Sequence, residues 1–181
     1  MKIEKVAIVG RGALGILYGA HFTEKLGKQA VSFVAGEDRI ERYMSSQPVC
    51  NGRACDFSYI SEKNEGNPAD LVIFAVKSTK LEEALKTAKN VIGEDTVIIS
   101  VLNGISSEKI IASEYGSERI IHCVAQGMDA VKLGEELTYS KMGELIVGIP
   151  KAETQKLERL DALCSFFEQT QLPYTRDENI I

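Results

Sequence analysis

The stretch KVAIVGRGALGILYGAHF, residues 5–22, decides the fold. Val6–Val9 predict a short buried strand, because the run is apolar, rich in β-branched side chains and ends at a glycine. Three glycines follow at the spacing G-x-G-x-x-G. Apolar residues then recur at helical intervals from residue 13 to residue 26, where Gly27 is expected to end the helix. The order strand, glycine turn, helix N-terminus predicts a site for an anion.

Each glycine of this turn has its own expected role. Gly10 allows the tight turn, Gly12 lets the backbone approach a pyrophosphate, and Gly15 lets the helix pack closely on the strand. The alternative is a glycine-rich turn that binds nothing. The position of the motif between a predicted strand and a predicted helix favours dinucleotide binding.

Composition is typical of a soluble globular chain with a substantial core. The 181 residues are 44% hydrophobic and 26% charged, with a net charge of -5. Mild acidity argues against a nucleic-acid partner, because no basic stripe is available to neutralise phosphates. No apolar run approaches the ~20 residues of a membrane span. The N-terminus lacks the pattern of a signal peptide, so a cytoplasmic location is expected.

Metal and disulfide chemistry are not expected. The four cysteines are scattered and only two histidines are present, so residue types and spacings for a metal site are lacking. The cysteines are therefore predicted to be reduced, partly buried thiols. They are Cys50, Cys55, Cys123 and Cys164.

Strands and helices are expected to alternate through most of the chain. Strands are predicted at 30–35, 70–76, 96–102, 119–125, 144–149 and 172–175. Helices are predicted at 37–46, 79–90, 107–113 and 152–169. Hairpins are predicted within 48–60, around Asn51-Gly52, and within 127–141, around residues 133–135.

This alternation predicts an α/β fold, a Rossmann-type doubly wound, mostly parallel sheet with a topological switch beside the first strand. Right-handed crossovers place the ends of its strands along one edge, where ligands bind in such sheets. The residues expected at that edge are Gly10, Ala35, Val76 and Leu102.

Two polar residues follow very apolar strands at this edge. Lys77 follows DLVIFAV and Asn103 follows TVIISVL. A single polar residue after a strand marks only where the chain reaches the surface, but two at equivalent positions favour a function. The ammonium of Lys77 suits a carboxylate or a ribose hydroxyl, and the amide of Asn103 suits a nicotinamide carboxamide or a substrate oxygen.

Four segments together resemble the ketopantoate reductase (2-dehydropantoate 2-reductase) family: GRGALG at 10–15, AVKSTK at 75–80, LNGI at 102–105 and GELIVG at 143–148. The resemblance implies a Rossmann domain that binds NADPH, and reduction of ketopantoate to pantoate on the way to pantothenate and coenzyme A. It implies a small-molecule substrate held partly by Lys77 and Asn103. The cofactor-binding residues it implies are Gly10, Arg11, Gly12, Ala13, Leu14, Gly15, Arg39, Lys77, Asn103 and, through its backbone, Ala130.

Two positions depart from the family pattern. The family often has an arginine directly after the second strand to grip the 2′-phosphate of NADP, whereas this sequence reads AGED at 35–38. A carboxylate there suits the 2′-hydroxyl of NAD. Arg39 and Arg42 lie a turn further on and can still reach a phosphate bidentately. The resemblance favours NADP, and NAD is not excluded. A histidine common before the last motif is replaced by Tyr139.

The third departure concerns catalysis. The family's general-acid lysine lies in a C-terminal helical domain, which by resemblance falls beyond Ile181. Residues 1–175 are therefore expected to form the cofactor domain, and 176–181 to open the connecting helix, with Asp177 and Glu178 at its positive end. No catalytic residue is expected within the chain, which alone should be inactive. A homodimer of the full-length protein stays open.

Two other functions stay open on the sequence. One is the reduction of a different 2-oxo acid or a β-hydroxyacid by the same cofactor, since the pocket for the acyl part is not identified. The other is a module that senses NAD(P)H without chemistry, because fold alone does not separate sensing from catalysis.

Overall fold

A computed structural model describes residues 1–180, which contain twelve strands and five α-helices. The strands are β1 (Val6–Val9), β2 (Val31–Ala35), β3 (Val49–Cys50), β4 (Arg53–Ala54), β5 (Ser58–Ser61), β6 (Leu71–Phe74), β7 (Val97–Ser100), β8 (His122–Gln126), β9 (Val131–Leu133), β10 (Glu136–Thr138), β11 (Glu144–Gly148) and β12 (Tyr174–Arg176). The helices are α1 (Ala13–Leu26), α2 (Glu37–Met44), α3 (Leu81–Ala88), α4 (Ser106–Tyr115) and α5 (Leu157–Gln169).

The central element is a five-stranded, entirely parallel sheet in the order β5-β2-β1-β6-β7. The first strand lies in the middle, and the strand order reverses there. This is the topological switch of a Rossmann-like fold, so the predicted fold class is confirmed. Ligands of such sheets bind at the carboxyl ends of the strands on either side of the switch.

Strand β1 is buried on both faces because alternate side chains enter two different cores. Val6 and Ile8 pack in the core that contains α1, while Ala7 and Val9 pack in the core that contains α3. This two-sided burial explains why the strand is a continuous apolar run rather than an alternating one. It also fixes the carboxyl end of β1, where the glycine turn begins.

Two smaller sheets complete the structure. One has the order β4-β3-β10-β9 and contains both predicted hairpins, with Asn51 in the left-handed region at the turn of the first. The other has the order β12-β11-β8 and meets the central sheet through a parallel bridge between Ile98 and Ile120. The second hairpin contacts the glycine loop through an ion pair between Glu135 and Arg11.

The hairpin predicted within 48–60 is wrong in its second half. The antiparallel pair ends at β4, and β5 instead joins the central sheet as a parallel edge strand beside β2. Aromatic packing accounts for the difference, because Phe57 and Tyr59 stack against Phe33 of β2, with ring centroids 4.7 and 6.0 Å away.

Several predicted boundaries also shift. Helix α3 occupies only the middle of the range 79–90, because single 3₁₀ turns form at both of its ends. Helix α2 ends at Met44 rather than at residue 46, and α5 begins at Leu157 after a 3₁₀ turn. Gly27 ends α1 as predicted, with a positive φ of 92°.

The sequence predicts that the connecting helix begins at 176–181, but the structure has no helix within residues 176–180. Arg176 is the last residue of β12 and pairs with Val147 of β11, and a turn follows it. Because the backbone of Arg176 is extended and paired with β11, a helix cannot begin at this residue. Ile181 lies outside the described residues, and the domain boundary at 175/176 stays an expectation.

All four cysteines are free and buried, and burial raises the pKa of Cys55 to about 11. Over residues 1–180, no helix combines the length and the apolar character that crossing a membrane requires. The same residues contain no cluster of three or more His, Cys, Asp or Glu side chains placed to hold a metal ion.

Candidate dinucleotide site

The glycine loop between β1 and α1 has the geometry that the motif predicts. Gly10 has a φ of +105°, a backbone conformation that residues with a side chain rarely adopt. A Cβ at Gly15 would overlap the carbonyl oxygen of Gly10, so the helix lies too close to the strand end for any side chain there. A Cβ at Gly12, in contrast, would meet no atom within 4 Å. The surface over Gly12 is therefore open to a ligand.

Helix α1 begins directly at this open surface. Gly12 is the N-cap and provides no side chain to satisfy the first N–H groups, and the first turn contains no acidic residue. The N-terminus of a helix carries a partial positive charge and free N–H donors, which favour an anion. The fit to a diphosphate thus rests on the empty space above Gly12 and on uncapped donors beside it.

We expect Gly15→Ala to destabilise the fold rather than to act on a ligand directly. The added methyl must push α1 away from the end of β1, and overpacking of this kind typically costs about 1–3 kcal/mol. Thermal or denaturant unfolding measures the loss. A variant as stable as the wild type would contradict the close approach of Gly10 and Gly15.

A cleft of about 680 Å³ extends from the glycine loop across the ends of β6 and β7. It brings Gly12, Lys77 and Asn103 to one cavity, as predicted from the positions of these residues at the sheet edge. Lys77 and Asn103 are both exposed. Its walls are residues 10–14, 75–80 and 101–103, with Arg39 and Tyr43.

A second cleft, of about 510 Å³, lies at the end of β2 between α2 and α3. It shares part of its wall with the first, so the two form one continuous groove over the switch point. The shared residues are Gly10, Arg39, Tyr43, Val76 and Lys80. The groove thus follows the path that a dinucleotide takes across such a sheet.

Charges of both signs line the second cleft. Arg39 lies 3.3 Å from Glu83, Lys80 lies 3.6 Å from the same carboxylate, and Lys63 lies 3.6 Å from Glu37. The lysine and glutamate side chains are well exposed and Arg39 is half-buried, so each pair contributes little to stability and can rearrange around a ligand. Further charged residues line this cleft: Asp38, Arg42, Glu62 and Lys86.

The side chain of Arg11 does not point into open solvent beside the loop. It is only 2% exposed and forms an ion pair with Glu135 at 2.7 Å. Its guanidinium also donates to the hydroxyl of Tyr59 at 2.7 Å and to the carbonyl of Tyr43 at 3.0 Å. Of these partners, none was identified from the sequence, and Glu135 is 124 residues away along the chain.

Ala130 and Tyr139 lie apart from the groove. Within residues 1–180, neither is among the residues that line the two clefts, and both pack partly buried against the core. The backbone N–H of Tyr139 donates to Asn51 at 2.8 Å, and burial raises the pKa of its phenol. The backbone contact expected of Ala130 therefore stays a prediction.

A buried polar chain that the sequence did not indicate lies under the Asn103 loop. The hydroxyl of Ser100 donates to Ser107 at 2.9 Å, and Ser107 donates to the carboxylate of Glu108 at 3.0 Å. The N–H of Leu102 donates to Ser100 at 3.3 Å. Because Ser107 and Glu108 belong to α4, these hydrogen bonds connect the end of β7 to that helix and support the loop that carries Asn103.

Fold and groove together define a Rossmann-like α/β domain with its candidate ligand site at the carboxyl ends of the strands. The family model described as "Ketopantoate reductase PanE/ApbA" matches residues 6–151. The chain belongs to this family.

Related proteins agree with this assignment. The chain is 30% identical to a 2-dehydropantoate 2-reductase of Aquifex aeolicus (strain VF5) over 183 residues, covering 97% of this chain and 56% of that protein. The chain thus spans little more than half the length of this relative.

Solved structures share the fold at lower identity. The 2-dehydropantoate 2-reductase from Geobacter metallireducens GS-15 superposes with a TM-score of 0.76 at 24% identity, over 96% of this chain and 57% of that one. D-mandelate dehydrogenase with NADH and anilino(oxo)acetate gives a TM-score of 0.80 at 21% identity, over 97% and 57%. A dimeric ketopantoate reductase from Staphylococcus aureus gives 0.70 at 19% identity, over 97% and 56%.

Proposed function

We propose that this chain is the cofactor-binding portion of an NADPH-dependent 2-dehydropantoate 2-reductase, which makes pantoate for pantothenate and coenzyme A synthesis in the cytoplasm. The observation that carries the proposal is the open surface over Gly12 at the uncapped start of α1, inside a groove that continues to the ends of β2, β6 and β7. When bound, the nicotinamide supplies a hydride to the ketone of the substrate.

In this proposal the residues of the chain bind and orient. The first turn of α1 holds the diphosphate through its N–H groups, with Gly12 allowing close approach. The cleft between α2 and α3 takes the adenosine end. Lys77 and Asn103, at the opposite end of the groove, hold the carboxylate and oxygen of the substrate or the carboxamide of the nicotinamide. General-acid catalysis is assigned to a part of the full-length protein beyond this chain.

We assign the preference for NADP to Arg39 and Arg42, which line the adenosine cleft. Guanidinium groups bind phosphate bidentately, and Glu83 holds Arg39 only through a partly exposed ion pair that a 2′-phosphate can displace. Glu37 and Asp38 begin α2 in the same cleft and oppose this preference.

NADPH is expected to bind more tightly than NADH, by roughly tenfold, which is the lower end of the about 1.5–3 kcal/mol that one charge-assisted hydrogen bond is worth. The margin should shrink as salt rises, because the contact is solvent-exposed. Titration calorimetry at two salt concentrations measures both effects. Arg42→Gln should remove most of the margin, whereas Arg53→Gln, on exposed strand β4, should leave it unchanged. Equal affinities in the wild type would contradict the assignment.

A second candidate is reduction of another 2-oxo acid with NADH. The D-mandelate dehydrogenase neighbour is described with NADH and anilino(oxo)acetate, and Glu37, which begins α2 just after β2, stands where a carboxylate suits a 2′-hydroxyl. A preference for NADH that Glu37→Gln reverses would favour this candidate. Comparing 2-oxo acids as substrates of the full-length protein then identifies the acid.

We propose that the full-length protein forms a homodimer, as the Staphylococcus aureus neighbour is described.

A further inference from the structure

Arg11 combines two properties, one of its backbone and one of its side chain. Its backbone is part of the glycine loop, next to Gly12, while its guanidinium is buried away from solvent and forms five hydrogen bonds with other elements. A buried arginine is costly, and the Nε of this guanidinium has no hydrogen-bond partner among the described residues, so the arrangement requires an explanation. Its charge is already balanced by Glu135 at 2.7 Å.

Two of its partners, Tyr43 and Ser46, lie in the last turn of α2 and just after it. The guanidinium donates to the carbonyls of Tyr43 and Ser46, at 3.0 and 3.3 Å, and to the hydroxyl of Ser46 at 3.3 Å. It also lies over the ring of Tyr43, 4.2 Å from the centroid. Tyr43 and Arg39 line both clefts, so the position of α2 sets the width of the groove at the point where the clefts join.

The remaining partners fix the guanidinium itself from the other side. Tyr59 of β5 accepts a hydrogen bond through its hydroxyl at 2.7 Å. Glu135 lies in the turn between β9 and β10, and its backbone carbonyl accepts from Val49 of β3 at 2.9 Å. The glycine loop, α2, β5 and the second hairpin are therefore joined at one side chain.

We propose that Arg11 is a positioning residue for the dinucleotide: it holds α2 at the distance from the glycine loop that a single ligand needs to occupy both clefts. The proposal rests on the proposed function. A ligand that spans two subsites gains affinity only when their separation matches its own length. A planar guanidinium has several N–H donors in a fixed arrangement and can donate hydrogen bonds to three elements at once. The single ammonium of a lysine cannot reproduce this arrangement.

The test compares ligands that span the groove with ligands that occupy one end of it. Affinities of the 181-residue chain for NADPH, 2′-AMP and nicotinamide mononucleotide are measured for the wild type and for Arg11→Met, Arg11→Lys and the control Arg53→Met. We expect Arg11→Met to weaken NADPH binding by roughly tenfold, and each fragment by less than about twofold, since only the dinucleotide depends on alignment. Arg11→Lys should not restore NADPH binding, and Arg53→Met should leave it unchanged.

Other results would overturn the proposal. Equal losses for NADPH and the fragments, restored by Arg11→Lys, would show that Arg11 acts as a charge near phosphate. Unchanged affinities with a lowered melting temperature would show a merely structural residue. If Arg11→Met does not fold, Glu135→Gln keeps an acceptor but removes the charge that fixes the guanidinium, and it must show the same selective loss. A wild-type chain that binds NADPH no more tightly than 2′-AMP would contradict the alignment alone, and one that does not bind NADPH would contradict the proposed function.

Discussion

Replacement of Gly12 by leucine is expected to abolish dinucleotide binding while leaving the free energy of unfolding nearly unchanged. Gly12 has φ −83° and ψ −162°, an extended conformation that any residue adopts, and a Cβ there meets no protein atom within 4 Å. The isobutyl group would therefore extend into the groove and occupy the space of the diphosphate. The loss of affinity for NADPH should exceed about 100-fold, or ~2.7 kcal/mol.

Gly15→Ala provides the opposite signature three residues away. That variant should lose stability, whereas Gly12→Leu should lose only binding. Calorimetric titration and thermal unfolding of both variants separate the two roles. A Gly12→Leu variant with wild-type affinity for NADPH would show that the ligand does not approach the loop.

The second large effect concerns activity. We expect the 181-residue chain to bind NADPH yet to reduce 2-dehydropantoate at no measurable rate. Lys77 and Asn103 are exposed at the end of an open groove, so neither water exclusion nor a fixed position for the ketone is provided. Orientation of reactants is worth up to ~7–11 kcal/mol of a barrier, and its loss alone would remove detectable turnover. The rate is measured from the absorbance of the reduced nicotinamide, which falls as NADPH is oxidised.

Lys77 is the residue on which this expectation depends most. If the chain reduces the substrate, Lys77→Ala should be compared with the exposed control Lys89→Ala. Turnover that is lost in Lys77→Ala and kept in Lys89→Ala would make Lys77 the proton donor. That result would contradict the assignment of general-acid catalysis elsewhere. In the full-length protein, Lys77→Ala and Asn103→Ala should weaken the use of substrate or cofactor without abolishing chemistry. Wild-type kinetics for full-length Lys77→Ala would reduce Lys77 to a surface residue.

The parts of the fold that the sequence predicted correctly are those with local causes. The glycine loop is specified within six residues, because Gly10 needs a positive φ and Gly15 needs close packing. Strands β1 and β6, and β7 up to its last residue Ser100, are continuous apolar runs that only a sheet covered on both faces accommodates. The meeting of Lys77 and Asn103 in one cleft then follows from parallel strands ending at one edge.

What the sequence did not predict depends on distant partners. The bond between Arg11 and Glu135 joins residues 124 positions apart, and no spacing rule connects a loop arginine with a hairpin turn. Strand β5 is placed by the packing of Phe57 and Tyr59 on Phe33 rather than by its own pattern. For these features, tertiary packing decides between local alternatives that the sequence leaves equal.

The central claim is that a nicotinamide dinucleotide binds with its diphosphate at the start of α1. A crystal structure of the chain grown with NADPH measures this most directly. The account predicts diphosphate oxygens within about 3 Å of backbone N–H groups in the first turn of α1, above Gly12, with the adenosine between α2 and α3. A dinucleotide bound elsewhere on the chain, with the space over Gly12 filled by solvent, would contradict it.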